Sequence, residues 1–246
     1  MAHVPPGEEA PTRKIPHKTR GPKVMFLAAV AWPVRSKDGE GWDCDGRIGF
    51  IPVGETVKQQ RKSPNMEKGD KKFKKGTIDT DTFVKYLKTK IVPAALAQAD
   101  NIEECLFLEI QCDGAGGHGM AKEKGRKKVL KLLNDWGAEK GGRLTPKGKR
   151  VLVTFICQPS QSPDFNVLDL GAWTSLQAAV DELDLYNNER TNMEMKLVKA
   201  CQKAWDRWAS AEKLTSLFDS WLASLNRVAE VDGDTKYEQP RKKQKK

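Results

Sequence analysis

Two apolar runs of strand type constrain this chain more than anything else in it. The first is Leu106-Phe107-Leu108-Glu109-Ile110-Gln111-Cys112, followed at once by Asp113. The second is Arg150 to Cys157, followed after a short Gln- and Pro-containing segment by Asp164. Fifty residues separate the two aspartates, and the sequence fills that interval with a helix-type segment, Lys122 to Trp136, and the second strand. A strand, a helix and a returning strand is the pattern of a crossover that brings the second strand beside the first. Two carboxylates at neighbouring strand ends are what a hard divalent cation requires, since magnesium takes oxygen ligands and can clamp the reacting oxygens of a phosphodiester. Taken singly, each aspartate has a plainer reading. Asp113-Gly114 is an ordinary turn dipeptide, and Asp164 after Pro163 could cap a helix.

The rest of the chain supplies further elements. Val24 to Trp32 is a short continuous apolar run and reads as a buried strand; Gly46 to Val53 alternates and reads as its antiparallel partner across the turn Ser36 to Gly41. Asp79 to Ala99 reads as a helix with an apolar stripe of Phe83, Val84, Leu87, Ile91 and Leu96 and a kink at Pro93. Val167 to Leu183 reads as an amphipathic helix, and two more follow near 190–208 and 211–229. The resulting class is α/β.

Charge narrows the partner. Forty-three Lys and Arg stand against 33 Asp and Glu, a formal net charge of +10, which favours a polyanion such as nucleic acid. Residues 54–76 read as a basic loop carrying Lys58, Arg61, Lys62, Lys71, Lys72, Lys74 and Lys75. The helix after Asp113 opens on Lys124, Arg126, Lys127 and Lys128. Such cations would track phosphates and make binding salt-dependent. The C-terminal run Arg241-Lys242-Lys243 suits a nuclear location. Five cysteines without a CxxC spacing read as reduced core residues, and no apolar stretch reaches the ~20 residues of a membrane span. Gly114 to Gly119 also fits GxGxxG between a strand and a helix, with Asp135 downstream. That keeps open an alternative, a dinucleotide-binding oxidoreductase-type domain.

Several blocks occur in an order that resembles a known family: Lys23 to Ala31, Asp45-Gly46-Arg47-Ile48-Gly49, Gln111-Cys112-Asp113-Gly114-Ala115, and Ser162-Pro163-Asp164-Phe165-Asn166-Val167-Leu168-Asp169-Leu170-Gly171. From about residue 5 to about 183 the chain is similar to the catalytic domain of mariner-type transposases of plants and water moulds. The resemblance implies a ribonuclease H-like mixed sheet flanked by helices. It also implies an acidic triad holding two magnesium (or manganese) ions for DNA cleavage and strand transfer. Asp113 and Asp164 fall on the second and third acids, as catalytic residues and metal ligands, with His118 and Asn166 beside them. The family's first acid and its strand have no counterpart here, and an insertion lies around Gly137 to Lys149. The expectation is therefore a transposase-derived DNA-binding domain with weakened metal binding and no cleavage. It would be a homodimer or take a strand from a partner. The expected layout is an extended coil over 1–22, the catalytic-domain remnant over 23–185, C-terminal helices over 186–230, and a basic tail over 231–246.

Overall fold

Strand β7, Phe107–Cys112, lies parallel to β9, Arg150–Cys157, in the register Phe107↔Leu152 to Cys112↔Cys157. The crossover between them is α3, Glu123–Ala138. The computed structural model describes residues 23–63, 66–159, 162–182 and 192–231. The expected N-terminal coil over 1–22 and the basic residues past 231 lie outside them.

Helix α3 is fixed to β9 by two features of its sequence. Asn134 makes a two-way bond with Phe155, its Oδ1 accepting from the backbone N–H at 2.7 Å and its Nδ2 donating to the carbonyl at 3.1 Å. Gly137 lets the helix touch the strand, because a Cβ there would overlap the carbonyl oxygen of Val153. Val129 and Leu133 on the same face are buried, as are Val151, Val153 and Phe155 beneath them. A short strand, β8 (Arg143–Leu144), pairs antiparallel with the start of β9 and completes a three-stranded sheet.

The N-terminal half forms a separate ribbon. Strands β1 (Phe26–Val30) and β4 (Arg47–Pro52) pair antiparallel, and the hairpin between them carries β2 (Val34–Arg35) and β3 (Trp42–Cys44). Among the described residues no backbone hydrogen bond joins β1 to β7. Yet Leu27 and Ala29 of β1 and Leu108 and Ile110 of β7 pack on one core, with Phe83, Leu87, Ile91 and Leu96. The molecule is thus α/β, with two half-sheets over a shared core.

The helix over that core begins where the sequence indicates, with Asp79 accepting from the N–H of Thr82 at 2.8 Å. It runs as α1 (Thr80–Tyr86), a π-turn over Leu87–Ile91, and α2 (Val92–Ala99). The expected kink at Pro93 takes the form of that π-turn, since proline has no N–H for the preceding turn. On the opposite face of the ribbon, Phe50 stacks between Phe26 at 4.2 Å and Trp205 of α5 (Met193–Trp208) at 4.7 Å. Helix α6 (Ala211–Glu230) buries Leu214 and Phe218, and Phe218 stacks on Trp32 at 5.2 Å.

Two expectations require correction. Residues 54–76 are not a loop: β5 (Gly54–Lys58) and β6 (Lys71–Lys75) form an antiparallel hairpin. Its anchor is Phe73, 8% exposed among lysines, and Lys75 pairs with Glu194 of α5. The helix expected over 167–183 is broken. A 3-10 turn, Val167–Leu170, is followed by α4 (Ala172–Asp181), with Gly171 at φ 141° between them; only glycine adopts that angle freely.

Gly137→Ala tests the crossover. It should destabilise the chain by about 2–3 kcal/mol through overpacking, read by chemical denaturation. Gly116→Ala, with nothing near its Cβ position, should be close to neutral.

Candidate functional site

The parallel register makes β7 and β9 end level. Cys112 and Cys157 are partners, and Gln158 continues the ladder by donating its N–H to the carbonyl of Cys112 at 2.9 Å. Asp113 therefore leaves β7 at the sheet's C-terminal edge, beside the exit of β9. Both cysteines point into the core side of the sheet. Burial first, then the neighbouring Cys157 and Asp113, push the Cys112 thiol up to about 12, so it is an inert core thiol at neutral pH.

The segment after β9 folds back over this edge. The side chain of Gln158 donates to the carbonyl of Ser162 at 2.5 Å. The next turn, Pro163–Phe165, is tied down through one carbonyl: Phe165 O accepts from Gln111 Nε2 of β7 at 2.5 Å and from the indole of Trp221 in α6 at 3.1 Å. Asn166 then caps the following 3-10 turn, its Oδ1 accepting from the N–H of Leu168 at 3.1 Å. That cap presents Asp169.

Asp169 lies close enough to the edge for the charge of Asp113 to act on it. Its carboxyl is raised above the ordinary aspartate range, first because protein atoms on one side strip water from it and next because the charge of Asp113 repels it. Hydrogen bonds from Trp173 and Asn166 act in the opposite sense. Asp164 lies one turn earlier, within Pro163–Phe165, half-buried and engaged within the protein. Asp164 keeps the role the resemblance implies for it, and Asp169 in the next turn joins it as a further carboxylate near this edge. The signal available was a second aspartate five residues on in the same block.

The two residues expected near the site have definite positions. His118 shares a hydrogen bond with the carbonyl of Asp113 through Nδ1 at 3.0 Å, and its ring stacks on Phe83 at 4.0 Å. It braces the turn after β7 against α1. Asn166 both caps and contacts Asp169.

The donor set suits a hard cation. Asp113 and Asp169 offer carboxylates, and Gln158 Oε1 is buried without a hydrogen-bond partner among the described residues, an acceptor of the type magnesium or manganese uses. Among the described residues no group of three or more His, Cys, Asp and Glu could hold a metal. Two carboxylates are fewer anionic ligands than a two-ion centre takes.

Packing accounts for Gly117 and Gly119 of the glycine run and for Gly125 after it, but not for Gly114 or Gly116. A Cβ on Gly117 would lie 2.7 Å from the carbonyl of Ile78, one on Gly119 (φ 73°) would meet Thr80, and one on Gly125 would lie 2.5 Å from the carbonyl of Gly119. These contacts seat the start of α3 against α1 and bring Lys124, Lys127 and Lys128 to the same sheet edge as Asp113; Arg126 lies on the same turn and has a contact within the protein. Lys127 is shared with Glu123 at 2.7 Å on the exposed surface.

In the β5–β6 hairpin the cations divide. Lys62, Lys74 and Lys75 pair with Glu67, Glu55 and Glu194 at 2.7, 3.6 and 3.3 Å. Lys58, Arg61, Lys71 and Lys72 have no ion pair among the described residues. Lys58, Arg61 and Lys72 line a shallow groove of about 470 Å³. No family model, curated protein or solved structure matches the chain.

The coupling has a measurable consequence. With its folded pKa above the unfolded value, Asp169 binds its proton more tightly in the folded chain. Stability therefore falls as pH rises through that window. Asp169→Asn should match or exceed the native melting temperature at neutral pH, and the advantage should vanish below the ordinary aspartate value of 3.8. Asp113→Asn should lower the Asp169 pKa, read by carbon-detected NMR titration of the carboxyl.

Proposed function

We propose that the chain is a transposase-derived DNA-binding domain of ribonuclease H-like design, related to the mariner group. Its ancestral chemistry is metal-dependent cleavage and strand transfer. The observation that carries this reading is the position of Asp113 at the C-terminal edge of a parallel strand pair, with the turn bearing Asp169 folded back over that edge, beside the basic first turns of α3. An antiparallel ribbon and a parallel pair over one core, with no strand between β1 and β7 among the described residues, further supports it. That position is where the resemblance places the family's first strand, and a partner chain or a second copy could supply one. A nuclear location accords with DNA as the partner.

The site's own groups have separable tasks. A bound magnesium or manganese ion would supply Lewis-acid polarisation of a phosphate oxygen. Asp113 and Asp169 would hold it, and its charge would relieve the repulsion between them. Gln158 Oε1 would complete the oxygen set. His118 fixes the turn that carries Asp113, and Asn166 fixes the turn that carries Asp169. Lys124 and Lys128 at the edge would hold the DNA backbone. Two carboxylates balance one divalent cation, so a second ion, needed to stabilise both attacking and leaving oxygens, would bind weakly. The chain accordingly binds DNA without cutting it.

The hairpin refines the binding surface. Arg61 and Lys72 are among the four hairpin cations without an ion pair among the described residues, while Lys75 is already paired with Glu194. Affinity for labelled duplexes should be insensitive to sequence and fall with salt, with a log–log slope of about −0.9 per phosphate contact. Neutralising Arg61 and Lys72 together should flatten that slope by about 2, and Lys75→Gln should change it less. A slope unchanged by the double variant would remove the hairpin from the interface. In parallel, supercoiled plasmid should stay un-nicked with magnesium or manganese. Nicking by the native chain that disappears in Asp113→Ala would show an active nuclease and overturn the non-cleaving reading.

A further inference from the structure

The insertion around Gly137 to Lys149 is not used by the site at Asp113. It lies at the other end of β9, about 25 Å away along an eight-residue strand. There it forms one wall of a groove of about 510 Å³, the other wall being α2.

The wall is bolted in place. The backbone N–H of Lys147 donates to Asp100 Oδ2 at 3.0 Å, and Lys149 Nζ donates to the carbonyls of Ala99 and Ile102 at 2.5 and 2.7 Å, closing the C-terminal end of α2. Arg150 Nη1 donates to the carbonyls of Lys140 and Gly142 at 2.8 and 3.1 Å. Within that turn Lys140 stands at φ 55°, a left-handed conformation that costs a non-glycine residue energy. The neighbours Gly141 and Gly142 take φ 79° and 124° without such a cost. A lysine held where glycine would be easier is a departure that packing does not require.

The groove has an apolar floor and a cationic rim. Val92, Leu96 and Pro146 form the floor, and Leu144, 56% exposed, stands at its edge. Lys88, Lys140, Arg143 and Arg150 surround it, against a single carboxylate, Glu139, that Arg143 engages at 3.1 Å. The rim is therefore strongly positive. The indole of Trp136 is already covered by Arg143 at 4.4 Å and Lys88 at 5.2 Å, so a nucleic-acid base has no free ring to stack on there.

We propose that this groove docks a short acidic segment of a partner protein, with an aliphatic side chain over Leu144 and Pro146 and carboxylates against Lys88, Lys140 and Arg150. Charge complementarity selects the acidic partner, and the aliphatic floor with its occupied indole favours peptide over nucleic acid. This inference is independent of DNA binding at the opposite edge.

The probe is a fluorescein-labelled peptide, Asp-Glu-Leu-Asp-Asp-Leu-Glu-Asp, measured by anisotropy against the full chain. Binding should weaken about tenfold when both leucines of the probe are serine. It should weaken about as much with Leu144→Ser and with Lys140→Gly, the latter leaving the thermal melt equal or higher because it relieves the φ strain. A thymidine oligonucleotide of equal charge should compete poorly. Equal binding of the serine probe would reduce the groove to a charge patch and overturn the proposal. So would unaltered affinity in both variants, or competition by the oligonucleotide as strong as by unlabelled peptide.

Discussion

The in-register parallel pairing of β7 and β9 is the constraint on which the rest of this structure depends. A parallel pair needs a crossover, and α3 can serve as one only if it lies flat on β9. Gly137 permits that approach and Asn134 fixes it by satisfying both backbone groups of Phe155. Once Cys112 and Cys157 are level, the chain must leave both strands at one edge. The return segment is pinned there by the shared carbonyl of Phe165. The meeting of Asp113 with Asp169 follows from this geometry.

That meeting is electrostatically costly. Two carboxylates near each other, one partly dehydrated, repel unless a cation or proton intervenes. Burial first, and the charge of Asp113 next, raise the Asp169 carboxyl, while hydrogen bonds from Trp173 and Asn166 hold it down. Elsewhere the chain manages charge differently. Exposed lysines of the hairpin are matched by Glu55, Glu67 and Glu194, pairs of small energetic worth at the surface. The unmatched Lys58, Arg61, Lys71 and Lys72 are thereby set apart. The net charge of +10 is thus spread over several surfaces of different character: the hairpin, the start of α3 and the rim of the groove at the insertion.

Much of the fold was legible because periodicity reports burial directly. The run Arg150 to Cys157 forms β9 over those same residues, and the apolar stripe from Phe83 to Leu96 does face the core. The β5–β6 hairpin was not legible, since Lys71-Lys72-Phe73-Lys74-Lys75 carries one apolar residue and its strand character comes from docking Phe73 beside α5. The split at Gly171 was hidden because Leu168, Ala172, Leu176 and Val180 keep a four-residue spacing through a non-helical glycine. Asp113 could be read from its strand. Asp169 could not, because its approach to Asp113 depends on two successive 3-10 turns and on the Asn166 cap. Those are set by tertiary hydrogen bonds to Gln111 and Trp221 that local sequence does not encode.

The central claim is the proposal that Asp113, at the end of β7, and Asp169, in the turn Val167–Leu170, share one cation site. Paramagnetic broadening of backbone amide signals by sub-stoichiometric manganese tests it most directly. The account predicts that residues 112–118 and 166–173 broaden together, ahead of the rest of the chain, and that Asp113→Asn or Asp169→Asn abolishes the effect in both segments at once. Broadening confined to one segment, or unchanged in both variants, would show that Asp113 and Asp169 do not share an ion and would contradict the account.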